Sequence, residues 1–592
     1  MTLSNRKCQF LYKKKVGRTL LYEVSPYWVC FFMRNCALCI AFLPILPLVI
    51  YMRKGFYARL FAARAVLSFL VVILLLMSGI LRVAVIVTDD YSAVAAEQLS
   101  YRINISRLRG TIYDCNMVPL TNTELKTYAA VSPTPKGVMA VSRCAEGESL
   151  ENALEALKSN KPAVCAVKNT IDSEGIAFTT VYEQTNEKLS ACHLLGYTDS
   201  SGHGVSGLQL AYDALLYSDE FVSANFTVGG TGDVLNGIEP TFQNDMPATN
   251  SGVVSTIDIN IQSITEKAAA QMNSGCAIVA DVATGKIRAM ASVPTFELKT
   301  IGESLQKPDS PMINRALSAY SVGSVFKPCV AVAALEKGKG GHIFNCKGSL
   351  EIVDRVFRCH VLSGHGVMNL QSALAQSCNC FFYDFALGLG GESIYKIASS
   401  LNFGSKIKIC DNLYIPLGSI PKLQTLNNDG ALANLSIGQG NLLLSPVSML
   451  TLYMSIAGDG SYYLPSVVEK TVKDGVENLY DTGSPTRVMS EKTATTLREY
   501  LKTVITDGTG GEAAPTLTTA AGKTATAQTG RYYKDGTEIT NSWFCGFFPA
   551  EAPEYVVVVM SDSKLNVSTA SVFAQIADGI TEIYNENVEN DG

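Results

Sequence analysis

The chain has 592 residues, 47% apolar and 17% charged, too long for one core and too apolar for a disordered or collagen-like polymer, so two or more folded domains are expected. The net charge is −5, yet residues 1–64 hold eleven Lys/Arg against the single acid Glu23, leaving 37 basic and 52 acidic residues for the rest. A basic head on an acidic body excludes a nucleic-acid-binding surface and fits a membrane anchor with its basic end in the cytoplasm.

The first apolar run, residues 35–51, contains Pro44 and Pro47 and borders on Arg34. If it spanned a bilayer, Arg6, Lys7, Lys13, Lys14, Lys15 and Arg18 would lie outside, against the positive-inside rule. The run is therefore either interfacial or not normally translated, and Met52, opening MRKGFYARL, reads as the start of the working protein. Residues 65–87 (AVLSFLVVILLLMSGILRVAVIV) are long enough to cross, with one charge, Arg82, near the outer end, where it can snorkel. Arg53, Lys54, Arg59 and Arg64 precede the run and Asp89 and Asp90 follow it. The expected organisation is a cytoplasmic head over 1–64, a single-pass helix over 65–87, and everything after about residue 88 outside. No small-residue cleavage site follows the run, which argues against a removed signal peptide.

Residues 88–250 mix short strand-like runs with polar turns and form one expected domain; 251–592 form another. Val253–Ile257 is a β-branched strand pattern, followed by Asp258 as N-cap of a helix over 259–273. Residues 275–293 read as two strands around the turn Ala283-Thr284-Gly285-Lys286. Trp543–Phe548 and Tyr555–Met560 make another strand pair, Glu491–Lys502 an amphipathic helix with a solvated face, and Val572–Tyr584 the last helix. An early hairpin and late strands separated by helices predict an α/β sheet with non-local pairing. No period of 20–50 residues marks a repeat.

Sixteen cysteines are present, twelve of them beyond the head. A domain this large buries its own core, so a dense disulfide framework is not expected. Cys346 and Cys359, with His360 and His365, superficially resemble a zinc cluster, although adjacent Cys359 and His360 cannot easily reach one metal. A disulfide between Cys346 and Cys359, or free thiols, are the other readings. The five histidines (193, 203, 342, 360, 365) are expected in turns or at the surface.

Chemistry concentrates in three segments. Ser324-x-x-Lys327 opens the helical run Cys329–Glu336. Residues three apart at a helix start share a face, and a lysine desolvated near other cations can take the proton of a serine nucleophile. Ser377-Cys378-Asn379, between two helical runs, supplies a second hydroxyl and an amide, and Lys523-Thr524-Ala525-Thr526 supplies a cation, hydroxyls and close backbone access. Gly522-Lys523-Thr524 is not a phosphate loop, since Leu517 stands where that loop needs glycine, and no G-x-S-x-G is present.

S-x-x-K, S-x-N and K-T-x in this order resemble the signature set of penicillin-binding proteins and serine β-lactamases. Over roughly residues 65–585 the chain is similar to the class B penicillin-binding proteins, monofunctional cell-wall transpeptidases. Arg109-Gly110-Thr111-Ile112-Tyr113-Asp114, Gly204-Val205-Ser206-Gly207-Leu208 with Ala211-Tyr212, Asn314-Arg315-Ala316, Gly438-Gln439-Gly440 with Leu444-Ser445-Pro446, and Trp543-Phe544-x-Gly546-Phe547 all match family segments.

The resemblance implies a transpeptidase domain with an antiparallel sheet flanked by helices and an all-helical subdomain, preceded by an elongated α+β pedestal and one transmembrane helix. It implies Ser324 as nucleophile, Lys327 as its base, Ser377 as proton relay, and Asn379 as a partner of substrate and lysine. Lys523 and Thr524 would bind the substrate carboxylate beside Thr526, and the backbone N–H groups of Ser324 and Thr526 would form the oxyanion hole. Substrates would be peptidoglycan stem peptides, with β-lactams as acylating mimics and no metal or organic cofactor. Partners would be a glycosyltransferase and division, elongation or sporulation proteins, at the bacterial cytoplasmic membrane with the catalytic domain outside.

One departure is Ala525, where the family usually has glycine. On a strand edging the active site, its methyl is expected to intrude slightly on the substrate backbone. That departure motivates the alternative of a catalytically silent scaffold; an anchored β-lactam sensor or β-lactamase is the other rival, but no base for a deacylating water is evident.

Overall fold

The computed structural model describes residues 54–88, 99–183, 189–243, 251–562 and 566–591. The run at 35–51 and the start at Met52 lie outside the described residues. The chain divides into two units, Met1–Ala95 and Ala96–Gly592.

The first unit contributes the helix α1 (Lys54–Thr88). Its 28-residue stretch Leu60–Val87 is long and apolar enough to cross a membrane and buries none of its surface within the protein. The expected span, 65–87, lies inside it.

The second unit opens with β1 (Ser100–Arg109) and β2 (Thr111–Tyr113), separated only by Gly110. A Cβ at Gly110 would sit 2.8 Å from the carbonyl oxygen of Ser251, so the chain passes there only without a side chain. Then follow β3 (Glu124–Val131), the helices α2 (Pro135–Cys144) and α3 (Gly147–Lys158), and β4 (Ala163–Val167), β5 (Ile176–Glu183) and β6 (Tyr217–Thr227). β3 is the centre of a three-stranded sheet between β4 and β5, and β1 pairs with β6. The motif Arg109–Asp114 turns out to be structural. Arg109 is held 3.0 Å from Asp213, and the fully buried Asp114 accepts the N–H groups of Asn116 (2.8 Å) and Val118 (2.7 Å) through one oxygen. β2 runs parallel to β7 (Gly252–Ser255), which pairs on its other side with the strand Val468–Lys473. The first and last thirds of this unit are thereby sewn together.

Asp258 caps α4 (Ile259–Ala269) through the N–H groups of Asn260 and Ile261. The main sheet has five antiparallel strands. β8 (Gly275–Asp281) and β9 (Ile287–Val293) form the early hairpin; β10 (Ala521–Tyr532), β11 (Glu538–Phe548) and β12 (Tyr555–Ser561) come last. Their spatial order is β9-β8-β12-β11-β10, so β8 pairs with a strand 280 residues later. Both faces are covered. Ile278, Trp543, Phe547, Val556 and Val558 face one core; Ala277, Phe544, Val557 and Val559 face another with Phe573 and Ile576 of α5 (Thr569–Asp591). This alternation explains why Tyr555–Met560 lacks polar residues: each side of the strand meets a hydrophobic layer. β10 is the open edge, so every second backbone N–H and C=O along it is unpaired by the sheet.

Candidate active site

The nucleophile segment lies between this sheet and the helices. Gly323–Phe326 form a 3₁₀ turn that leads into the helix Lys327–Glu336. In a 3₁₀ turn positions i and i+3 eclipse, which sets Ser324 and Lys327 on one side more strictly than an α-helix would. Ser324 is the one residue of the run 322–334 that is not buried. The turn is held from several directions. Gly323 N–H donates to Gly438 O (2.9 Å), Trp543 Nε1–H donates to Ser321 O (2.9 Å), and the buried Tyr453 hydroxyl donates to Val325 O (3.0 Å). Gly438 has φ +74°, and a Cβ there would lie 1.9 Å from Gly323 O. The G-Q-G motif thus lets two backbones cross beneath the serine.

Ser377 adopts the left-handed conformation, φ +55°, a strained choice for a residue with a side chain. It ends a short helix, Leu370–Ala375, and precedes the helix Asn379–Leu389. The strained link aims this segment at Lys327, whose Nζ donates to Ser377 O (2.6 Å), Asn379 Oδ1 (2.8 Å) and Ser377 Oγ (3.2 Å). Two of these partners are carbonyl oxygens that only accept. A neutral amine satisfies both with its two protons and keeps a lone pair for a hydroxyl.

Lys523 comes in from β10 and is, like Lys327, fully buried. Among the described residues neither forms an ion pair with a carboxylate. Burial draws Lys327 down to about 7. Burial, with the charge of Lys327 nearby, draws Lys523 well below the usual lysine range. Two buried amines without a counter-ion make a site prepared for an incoming anion. Thr524 Oγ1 is 2.8 Å from Thr509 Oγ1. Thr526 faces solvent on the open edge. The three sequence segments therefore converge: Lys327 bonds Ser377 and Asn379, the turn carrying Ser324 packs on β10, and β10 carries Lys523, Thr524 and Thr526; together they mark the candidate groove.

Strand alternation turns Lys523, Ala525 and Ala527 inward and leaves Thr526 and Gln528 exposed. A Cβ built on Gly323 would meet the Ala525 methyl at 3.4 Å, so the methyl packs against the nucleophile turn. His193 corrects an expectation: it is buried, 2.7 Å from Pro311 O, and held down to about 4 by burial. The amphipathic helix extends over Glu491–Thr506 and buries Leu497, Leu501, Val504 and Ile505.

Thr509, Gly438 and Tyr453 were not singled out as site residues from the sequence. Thr509 sits in the turn-rich Asp507–Gly511, which was the available signal; Tyr453 lies within an apolar helix, Pro446–Ala457, that looks like plain core. None of the twelve cysteines from Cys115 to Cys545 is in a disulfide, so Cys346 and Cys359 are not joined. They gather instead with His365 and Cys378, and the exposed His360 has its Nδ1 3.8 Å from Cys359 Sγ. A cavity of about 800 Å³ lies away from the catalytic groove, lined by Arg107, Arg109, Tyr182, Glu183, Asp199 and Phe221 among others.

A half-exposed serine one turn before a buried lysine, on a segment packed against an open strand edge, is an arrangement suited to serine acyl transfer. The penicillin binding protein transpeptidase domain matches residues 275–582, and the chain belongs to that family. It is 28% identical over 481 residues to the penicillin-binding protein PbpB of Mycolicibacterium smegmatis, covering 74% of this chain and 72% of that one. It is 27% identical over 396 residues to stage V sporulation protein D of Bacillus subtilis, covering 63% and 58%, and 24% identical over 494 residues to peptidoglycan D,D-transpeptidase MrdA of Escherichia coli, covering 71% and 76%. The fold matches penicillin binding protein 3 of Mycobacterium tuberculosis complexed with ampicillin, with TM-score 0.59 and 23% identity over 82% of this chain and 96% of that one.

Proposed function

We propose that this protein is a membrane-anchored peptidoglycan D,D-transpeptidase that works through an acyl-enzyme on Ser324. The observation that carries the reading is the convergence of Lys327 on Ser377 and Asn379, 50 and 52 residues away, beside the buried Lys523, which has no ion-pair partner among the described residues.

The terminal carboxylate of a stem peptide, or the equivalent carboxylate of a β-lactam, sits by Thr524 and Thr509 under the potential of Lys523. The peptide extends along the open edge of β10, pairing with its free N–H and C=O groups. Lys327, neutral in its buried setting, takes the Ser324 proton as the oxygen attacks the penultimate D-alanine carbonyl. The N–H groups of Ser324 and Thr526 receive the developing oxyanion; such a donor is worth about 3–4 kcal/mol of barrier. The proton passes through Ser377 to the departing D-alanine nitrogen as the amide bond breaks. An amine of a neighbouring stem then attacks the ester and releases Ser324. The helix Leu60–Val87 anchors the chain, and the basic residues before it place the catalytic unit outside the cell. Polymerisation of the glycan strands falls to a partner glycosyltransferase.

Labelling with fluorescent penicillin tests the reading: one adduct on Ser324, slow to hydrolyse. Rapid release of hydrolysed drug would instead make the protein a β-lactamase, and no adduct would make it a silent scaffold.

A further inference from the structure

The residues Cys346, Cys359, His365 and Cys378 come from three separate segments, yet one ligand atom of each lies within 4.8 Å of all the others. The three cysteines are at most 3% exposed. His365 Nδ1 is 3.6 Å from Cys359 Sγ, and its Nε2 is buried with no hydrogen-bond partner among the described residues. A tetrahedral zinc with sulfur at about 2.3 Å and nitrogen at about 2.0 Å has S···N edges of roughly 3.6 Å.

The surrounding chain is built for close turns around this point. Cys346 ends the strand Ile343–Cys346, and its partner across the ladder is Gly366, directly after His365. Gly364 has φ +86°, and a Cβ there would meet Cys346 O at 2.2 Å; Gly348 has φ +89°, and a Cβ there would meet Leu362 O at 1.9 Å. Cys359 N–H bonds back to Gly348 O at 2.8 Å. Cys378 caps the helix Asn379–Leu389, its sulfur accepting the Phe381 N–H at 3.5 Å. Residues 343–369 otherwise consist of two-stranded ladders that leave Ile343, Val353, Val356, Leu362 and Val367 exposed. Such ladders are marginal alone and need a staple.

We infer that Cys346, Cys359, His365 and Cys378 bind one structural zinc ion, which fixes the Ser377–Asn379 segment against Lys327 from behind. On binding, each thiol loses its proton to solvent and the imidazole binds neutral, with no change of oxidation state. The site is closed, with four protein ligands, so it is structural and takes no part in the acyl transfer. Cys378 is thus a positioning residue between two residues of the groove.

The test uses the full chain purified in detergent with a reductant and no chelator. Elemental analysis is expected to find about one zinc per chain, and cobalt substitution to give the intense visible bands of tetrahedral thiolate coordination. Cys346→Ser and His365→Ala each lower zinc content at least about tenfold, whereas the distant Cys410→Ser retains it. Should the variants fail to fold, the wild type serves: chelation removes the ion and lowers the melting temperature, and zinc restores both. Metal-free protein that takes up no zinc or cobalt, or whose melting is indifferent to chelator and zinc, overturns the inference. Metal content is read without substrate, so it stands or falls separately from the transpeptidase reading.

Discussion

Lys327 Nζ lies 2.8 Å from the side-chain oxygen of Asn379, so an amide 52 residues downstream decides where the amine of the nucleophile's own helix points. Asn379→Ala leaves that amine tethered only through Ser377, and penicillin acylation is expected to fall by about 10²-fold, the usual worth of a positioned general base. Asn379→Asp pairs the amine with a carboxylate and favours its charged form. The pH at which acylation becomes half-maximal then moves up by about one unit or more. Stopped-flow acylation across pH measures both.

In the wild type the same profile follows from Lys327 itself. Its neutral form is the base, and burial brings it down to about 7, so acylation rises as pH increases through about 7 and fails in acid. Lys523 stands nearby, and negative charge on Cys378, Cys359 or Cys380 would favour the charged form of Lys327. A flat profile between pH 5 and 9 would remove the lysine from the base role.

Ala525 packs against Gly323, so Ala525→Gly is expected to leave penicillin acylation within about threefold while costing about 0.5–1 kcal/mol of stability through added chain freedom. Ala525→Val adds two methyls against the nucleophile turn and costs about 1–3 kcal/mol from overpacking, with slower acylation. Thermal melts paired with acylation rates distinguish this from a steric role in substrate binding, in which Ala525→Gly would speed acylation markedly.

At Gly438 the backbone crossing leaves no room: a Cβ would overlap Gly323 O at 1.9 Å. Gly438→Ala is expected to push the turn outward, and displacement of about 1 Å can cost about 10²-fold in rate. Circular dichroism should report a folded protein whose acylation is crippled.

Much of the site was legible because its chemistry is carried by short local patterns. Ser324-x-x-Lys327 needs only one turn of helix to bring its ends together, and Asp258 and the 275–293 hairpin follow local capping and turn rules. What escaped depends on chain crossings that no local pattern encodes. Tyr453 reads as core because its helix is apolar throughout, yet its hydroxyl reaches Val325 O. That Ala525 packs on Gly323 was not legible, because strand alternation fixes which residues share a face but not what that face meets. Cys378 stands in S-x-N between the two residues that carry the motif; only the fold brings it within reach of Cys359 and His365. His193, a polar residue in a turn-rich stretch, is buried because Pro311 O offers it a hydrogen bond.

The central claim is that Ser324 is the nucleophile that β-lactams acylate. Intact-protein mass spectrometry after penicillin treatment, with wild type and Ser324→Ala side by side, tests it most directly. The account predicts one covalent adduct on the wild type, mapped to the peptide holding Ser324, and none on the variant, with both melting at the same temperature. Equal adducts on both proteins would contradict it.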